Sequence, residues 1–389
     1  MFTPRKPPST PQSRNLPKEC FRLAFLDTAI LKANENFRIH NSPTQPNTPS
    51  FNDPPILQPG DVIEFYGPAC SGKTTILYHT ILTTILPPRW TRSNEADNAS
   101  IDLCGRGKGV IFFDLDGKFK IQRLYSMILH YLIQRVSNTV KEKKGQYRLV
   151  PPLHKQDEKM DTSNVGSTSA TSDVNLDWIP SEDEIKMIAK SALHKLHIFE
   201  PTISESFYAT LLTLPEYMMG CTQDEGYEFS FLMIDSINSF YWQDKVEEGD
   251  QSADGDKWKQ KNSYYYVQAL RQIIQVTKII VVATNGVSMK TNVVQSLPSE
   301  LCYTNIAPLA WQSFVKYRFA LAKQPLLQYL ISPQEAVDME EIKRKEFISQ
   351  PWFYGRLVTP VYNNIHNIEE IFQFRIGEGG LSANNLVSP

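Results

Sequence analysis

Short apolar runs alternate along the chain with longer stretches in which apolar residues recur every three or four positions. The runs are Val62 to Tyr66, Val110 to Phe113, Phe229 to Ile234 and Ile279 to Ala283. They show little polar alternation, which predicts strands buried on both faces. Between them, Leu77, Tyr78, Ile81, Leu82 and Ile85, and then Ile121, Leu124, Tyr125, Ile128, Leu129 and Leu132, keep helical spacing. Ser181 with Glu184 fits a capping box that opens a helix to about Lys195. A strand at Leu196 to Phe199 and helices over roughly Glu205 to Met219 and Ser263 to Val276 follow. This order predicts an α/β fold, a mainly parallel sheet flanked by helices. Val315 to Ala322, Leu327 to Ile331, Leu357 to Val361 and Phe372 to Ile376 read as shorter strands, a small antiparallel extension at the C-terminal end. Residues 1–17 read as a disordered tail and 18–59 as a helix (Cys20 to Ala33) with a linker. Residues 60–389 read as one domain with a low-complexity insertion at about 141–180.

The chemistry gathers where the first strand meets its helix. Gly67-Pro68-Ala69-Cys70-Ser71-Gly72-Lys73-Thr74 fits G-x-x-x-x-G-K-[ST] at every specified position, with Thr75 next in the helix. The setting, strand then loop then helix, is the one a phosphate loop requires. Backbone N–H groups close around a polyphosphate and the helix start adds its positive dipole end. Lys73 is expected at the terminal phosphates and Thr74 on Mg²⁺. The run ending at Asp235 has the Walker B pattern, in which the carboxylate orders the metal's shell. Asp116 and Asn285 fall at or just beyond the ends of two more strands, where ligand groups collect in such sheets. ATP with Mg²⁺ is the expected ligand.

Charge narrows the partners. Lys+Arg 40 against Asp+Glu 42 leaves a formal net charge of -2, which argues against a strong general electrostatic grip on nucleic acid. The five cysteines are scattered without a C-x-x-C pair and read as reduced thiols. No apolar run approaches membrane-spanning length and the start lacks a signal-peptide pattern, so a cytosolic or nuclear protein without a membrane partner is expected.

Together these residues resemble the RecA-type recombinase family, and within it the eukaryotic recombinase paralogues. The resemblance rests on Gly60 to Pro68 leading into the phosphate loop, Leu77-Tyr78-His79 after it, and Phe112 to Asp116. It continues through Ile234-Asp235-Ser236 with Phe240-Tyr241-Trp242, Trp311-Gln312, Val315-Lys316 with Arg318, and Ile376-Gly377-Glu378. It covers roughly Cys20 to Leu381. It implies a RecA-type core and a nuclear role in double-strand break repair by homologous recombination. It also implies a hetero-oligomer with other RecA-type paralogues that meets single-stranded or branched DNA mainly as a complex.

The departures bear on hydrolysis. The strand-exchange members place a glutamate, the general base, where this chain has Asp116, and a glutamine where it has Gly286. A base misplaced by about 1 Å costs on the order of 10²-fold, so Asp116 is expected to be a weakened base and any DNA-dependent ATPase activity slow or dispensable. The segments matching the family's DNA loops, about Gln243 to Lys261 and Val287 to Pro308, carry Asp244, Glu247, Glu248, Asp250, Asp254 and Asp256 against Lys245, Lys257, Lys259 and Lys261 in the first and Lys290 as the lone cation in the second. Phe21-Arg22-Leu23-Ala24 and Phe319-Ala320-Leu321-Ala322 both fit the F-x-x-A pattern by which recombinase subunits dock. For Phe21 a packed amphipathic helix is the simpler account. The alternatives are a self-assembling DNA-dependent ATPase, a structural subunit with a vestigial site, and a small-molecule P-loop kinase. The last needs lid arginines, and none lies between Leu149 and Ser181.

Overall fold

Strands that are apolar throughout must be covered on both sides, and the architecture follows from that demand. The computed structural model describes residues 21–41, 56–91, 100–148, 179–241, 243–244, 255–287, 309–323, 352–358, 371–377 and 379–382. In chain order the elements are α1 (Ala24–Asn41), β1 (Val62–Gly67), α2 (Lys73–Ile85), β2 (Arg89–Thr91), β3 (Ser100–Asp102), β4 (Gly109–Asp114), α3 (Ile121–Arg148), α4 (Glu182–Leu193) and β5 (Leu196–Phe199). They continue with α5 (Ser204–Glu225), β6 (Phe229–Asp235), α6 (Gly255–Thr277), β7 (Ile280–Gly286), α7 (Leu309–Phe314), β8 (Tyr317–Lys323), β9 (Trp352–Leu357), β10 (Ile371–Gly377) and β11 (Gly380–Ser382).

The main sheet runs β11-β10-β9-β8-β1-β7-β6-β4-β5. From β8 to β5 every pairing is parallel, and β8 to β11 pair antiparallel. An α/β fold with a mainly parallel sheet flanked by helices is what the hydrophobic pattern predicts. On one face, α1 to α4 pack against Phe65, Phe112 and Phe231. On the other, α5 and α6 pack against Ile111, Ile234 and Val281. Ser181 and Glu184 form the reciprocal capping box.

Several boundaries differ from expectation, each for a local reason. The third helix runs through Arg148, into the span assigned to the insertion, because residues 141–148 are mostly good helix formers that need no core. The helix expected to end near Met219 continues to Glu225 and stops at Gly226, whose φ of 75° lies in the left-handed region glycine favours. The strand expected at Leu357 to Val361 is instead Trp352–Leu357. Its signal was obscured by Gly355, where a Cβ would lie 2.1 Å from the Phe372 ring, so only glycine admits that aromatic. The hairpin β2–β3 lies in a stretch that reads as merely polar. The tail 1–17, the expected strand Leu327 to Ile331 and most of the insertion lie outside the described residues.

Both F-x-x-A phenylalanines belong to this chain's own core, and neither is available for docking. Phe21 is fully buried, 5.7 Å from the Phe65 ring and 6.3 Å from that of Phe231. Phe319 is equally buried and stacks on Phe65. Next to Phe21, Phe25 lies against Phe372 and Phe374 and closes this face of the antiparallel strands. Phe21→Ala is expected to cost about 3–5 kcal/mol, read as a lowered midpoint in urea unfolding.

Asp27 fastens the same segment, its Oδ1 accepting from the Phe21 N–H at 2.8 Å. Burial pushes its carboxyl from 3.8 up to about 6, against the lowering effects of that hydrogen bond and of Arg106. Below pH 3.8 both folded and unfolded chains hold the proton; between 3.8 and about 6 only the folded chain does, so stability drains away as pH rises through that window. Asp27→Asn is therefore expected to match the parent in acid and exceed it by up to about 3 kcal/mol above pH 6, by urea unfolding at stepped pH.

Candidate phosphate site at the β1–α2 loop

β1 delivers the chain to Gly67 and α2 takes it up at Lys73. Gly67 is required by close approach, since a Cβ there would sit 2.2 Å from the Leu321 carbonyl oxygen of β8. Gly72 caps the helix at φ 93° and contributes no side-chain hydrogen bond, while the N–H groups of the first turn have no acceptor inside the helix. Cys70, also exposed, holds φ 59°, a left-handed conformation costing a non-glycine residue about 1–2 kcal/mol. The loop is thus a turn of backbone amides kept in shape by the sheet beside it.

The Lys73 ammonium folds back over this turn. Its Nζ donates to the carbonyls of Gly67 and Pro68 at 2.8 Å each and to Ser71 Oγ at 3.4 Å. These are neutral acceptors, whereas an anion at the same place would add a full opposite charge to the ammonium's bonds. Burial pulls the Lys73 pKa down, and the carboxylates of Asp235 and Asp116 hold it up.

β6 brings Asp235 to the same place across 161 residues of sequence. The Thr74 hydroxyl donates to its Oδ2 at 2.8 Å, and the Thr284 hydroxyl to its Oδ1. Burial raises the Asp235 carboxyl, the two threonine bonds lower it, and Asp116 raises it again. Asp116 stands on the turn after β4, and its N–H donates to the Asp235 carbonyl at 3.2 Å. Its Oδ1 accepts from Ser239 Oγ and, at 3.3 Å, Ser236 Oγ; its Oδ2 faces Lys118 Nζ at 3.2 Å.

The donor set fits a triphosphate with a hard divalent cation. One ammonium and the amides of a helix start could hold the phosphates, and the Thr74 hydroxyl with the Asp235 carboxylate could supply oxygen ligands to the cation. No cluster of three or more acidic, histidine or cysteine side chains able to hold a metal exists among the described residues.

No family model matches the chain. The DNA repair protein XRCC2 homolog of Arabidopsis thaliana is 24% identical over 303 residues, 72% of this chain and 73% of that protein. The DNA repair protein XRCC2 of Mus musculus is 23% identical over 312 residues, 78% of this chain and 86% of that one. The chain resembles XRCC2. The XRCC2 resemblance thus spans about three quarters of the sequence and agrees with the likeness that the Walker segments carry.

The structure therefore brings together Gly67 to Thr75, Asp235 and Asp116. It turns Asn285 elsewhere. Asn285 ends its strand as expected, yet it is buried and donates from Nδ2 to Glu64 Oε1 at 2.8 Å. Glu64, wholly buried in β1, also accepts from Trp311 Nε1 at 2.9 Å, and its Oε2 accepts from Arg318 Nε. Sequence reasoning missed Glu64, Thr284, Ser236, Ser239 and Lys118; only a glutamate inside an otherwise apolar strand gave any hint. Glu64→Gln would leave the guanidinium buried without a counter-charge and is expected to cost about 3–5 kcal/mol, with Trp311 fluorescence reporting the loosened packing.

Proposed function

We propose that this chain is an ATP- and Mg²⁺-binding subunit of a RecA-type recombinase-paralogue assembly that repairs DNA double-strand breaks by homologous recombination in the nucleus. The observation that carries the proposal is the convergence of Lys73, Thr74 and Asp235 on one loop. Both similar proteins are named for DNA repair, and no helix among the described residues is long and apolar enough to cross a membrane.

In this role Lys73 and the amides of residues 67–75 hold the phosphates, and Thr74 and Asp235 hold the cation. Magnesium, when bound, neutralises phosphate charge. Asp116 is a poor base here: three donors already occupy its oxygens, and a base must have a lone pair within reach of the attacking water. Binding, rather than turnover, is then what the site contributes, fixing the surface against which other paralogues assemble. Single-stranded or branched DNA is met mainly by that assembly.

Lys73→Ala is the direct test. It is expected to keep the parent's unfolding midpoint while weakening binding of a fluorescent ATP analogue with Mg²⁺ by at least about 30-fold, the scale of one hydrogen bond to a charged group. Partner paralogues should co-purify less well with the variant. Unchanged co-purification would favour the vestigial-site alternative, and brisk DNA-stimulated hydrolysis lost in Asp116→Ala would favour a self-assembling ATPase.

A further inference from the structure

The antiparallel half of the sheet has two unlike faces. On one, Phe353, Phe372 and Phe374 are buried beneath α1. On the other, cross-strand register places Trp352 beside Arg375, Tyr354 beside Gln373, and Arg356 beside Ile371. Among the described residues this second face carries only a small apolar cluster, Tyr66 and Ala320 with Val287, Ala322, Tyr354 and Val358, and no helix joins it. Gln373 is exposed, and Trp352, Tyr354, Arg356 and Arg375 are half-buried.

Its charge is one-sided. On this face β8, β9 and β10 hold Arg318, Arg356 and Arg375 and no Asp or Glu, Lys323 lying on the other face opposite Phe353, in a chain whose formal net charge is -2. Arg318 is committed to Glu64. The Arg375 guanidinium lies over the Trp352 ring, 4.0 Å from its centroid. Arg356 Nε has no hydrogen-bond partner among the described residues.

We propose that this face of β9 and β10 binds single-stranded DNA, Arg356 and Arg375 taking phosphates while Trp352 and Tyr354 offer rings for bases to stack on. The inference rests on the DNA-repair role proposed above and adds to it an interaction made by this chain itself. Cations interleaved with flat rings match a strand whose phosphates and bases alternate, whereas an acidic peptide would use the cations and leave the aromatics idle. Its location also answers a difficulty, since the segments matching the family's DNA loops are acidic or nearly free of cations.

The test is fluorescence anisotropy of a labelled oligo(dT) with the full chain at stepped salt, alongside Mg²⁺·ATP binding by the same preparations. Arg356→Glu with Arg375→Glu is expected to weaken oligo(dT) binding at least tenfold and to flatten the log–log salt slope by about 0.7 for each phosphate no longer neutralised. Trp352→Ala should weaken binding about tenfold as a stacked base is given up. Gln373→Lys, on an exposed side chain that leaves packing untouched, should tighten binding. ATP binding and urea midpoints should stay at the parent's values throughout. The inference is overturned if the double variant and Gln373→Lys both leave affinity and slope unchanged, if oligo(rU) is preferred, or if a polyglutamate peptide competes as well as DNA. A parent that binds Mg²⁺·ATP but no oligo(dT) also overturns it and leaves the nucleotide proposal standing; a parent that binds no nucleotide sinks that proposal instead.

Discussion

Burial on both faces of β1, β4, β6 and β7 is the constraint from which the rest of the molecule follows. Side chains that point to either side of these strands meet helices, so water reaches the sheet only at its ends and edges. Polar chemistry has to collect there. Lys73, Thr74, Asp235 and Asp116 come from three separated segments, yet all lie at the same end, because parallel strands share a direction. The threonine bonds to Asp235 and the close packing of Gly67 on Leu321 then tie the constellation to the sheet.

Glu64 is the exception that tests this rule. It sits in the middle of β1 with no exposure, where a carboxylate is costly unless its lone pairs are taken. Asn285, Trp311 and Arg318 take them, so β1, β7, β8 and α7 meet on one side chain. Asn285, the residue expected to face a nucleotide, gives its amide to this carboxylate from the strand beside β1. Asp116 shows the opposite arrangement: it reaches the site but arrives with its oxygens engaged by Ser236, Ser239 and Lys118. Together they set one carboxylate inside the scaffold and another, already hydrogen-bonded, beside the phosphate loop.

The two halves of the sheet divide the work by their connections. Parallel pairing needs crossovers, and crossover helices cover both faces. Among the described residues, β9 and β10 receive α1 on one side and carry arginines and aromatics on the other. That asymmetry explains why an overall charge near zero conceals a strip with no carboxylate.

The order of elements, the parallel core and the phosphate loop were legible in the amino-acid sequence, because each depends on neighbours: apolar runs, helical spacing, and glycines and Lys73-Thr74 at fixed offsets. Asp235 was legible for the same reason, as the acid closing an apolar run. The tertiary structure alone decided where the long-range side chains point. Phe21 looks like a docking motif until Phe65 and Phe231 are seen around it. Asn285 ends its strand as expected, but that its amide meets Glu64, 221 positions away, is seen only in the fold. Gly355 reads as a strand breaker until Phe372 fills the space. In each case the deciding partner is distant in the chain, and composition or periodicity cannot register a contact that exists only once the sheet has assembled.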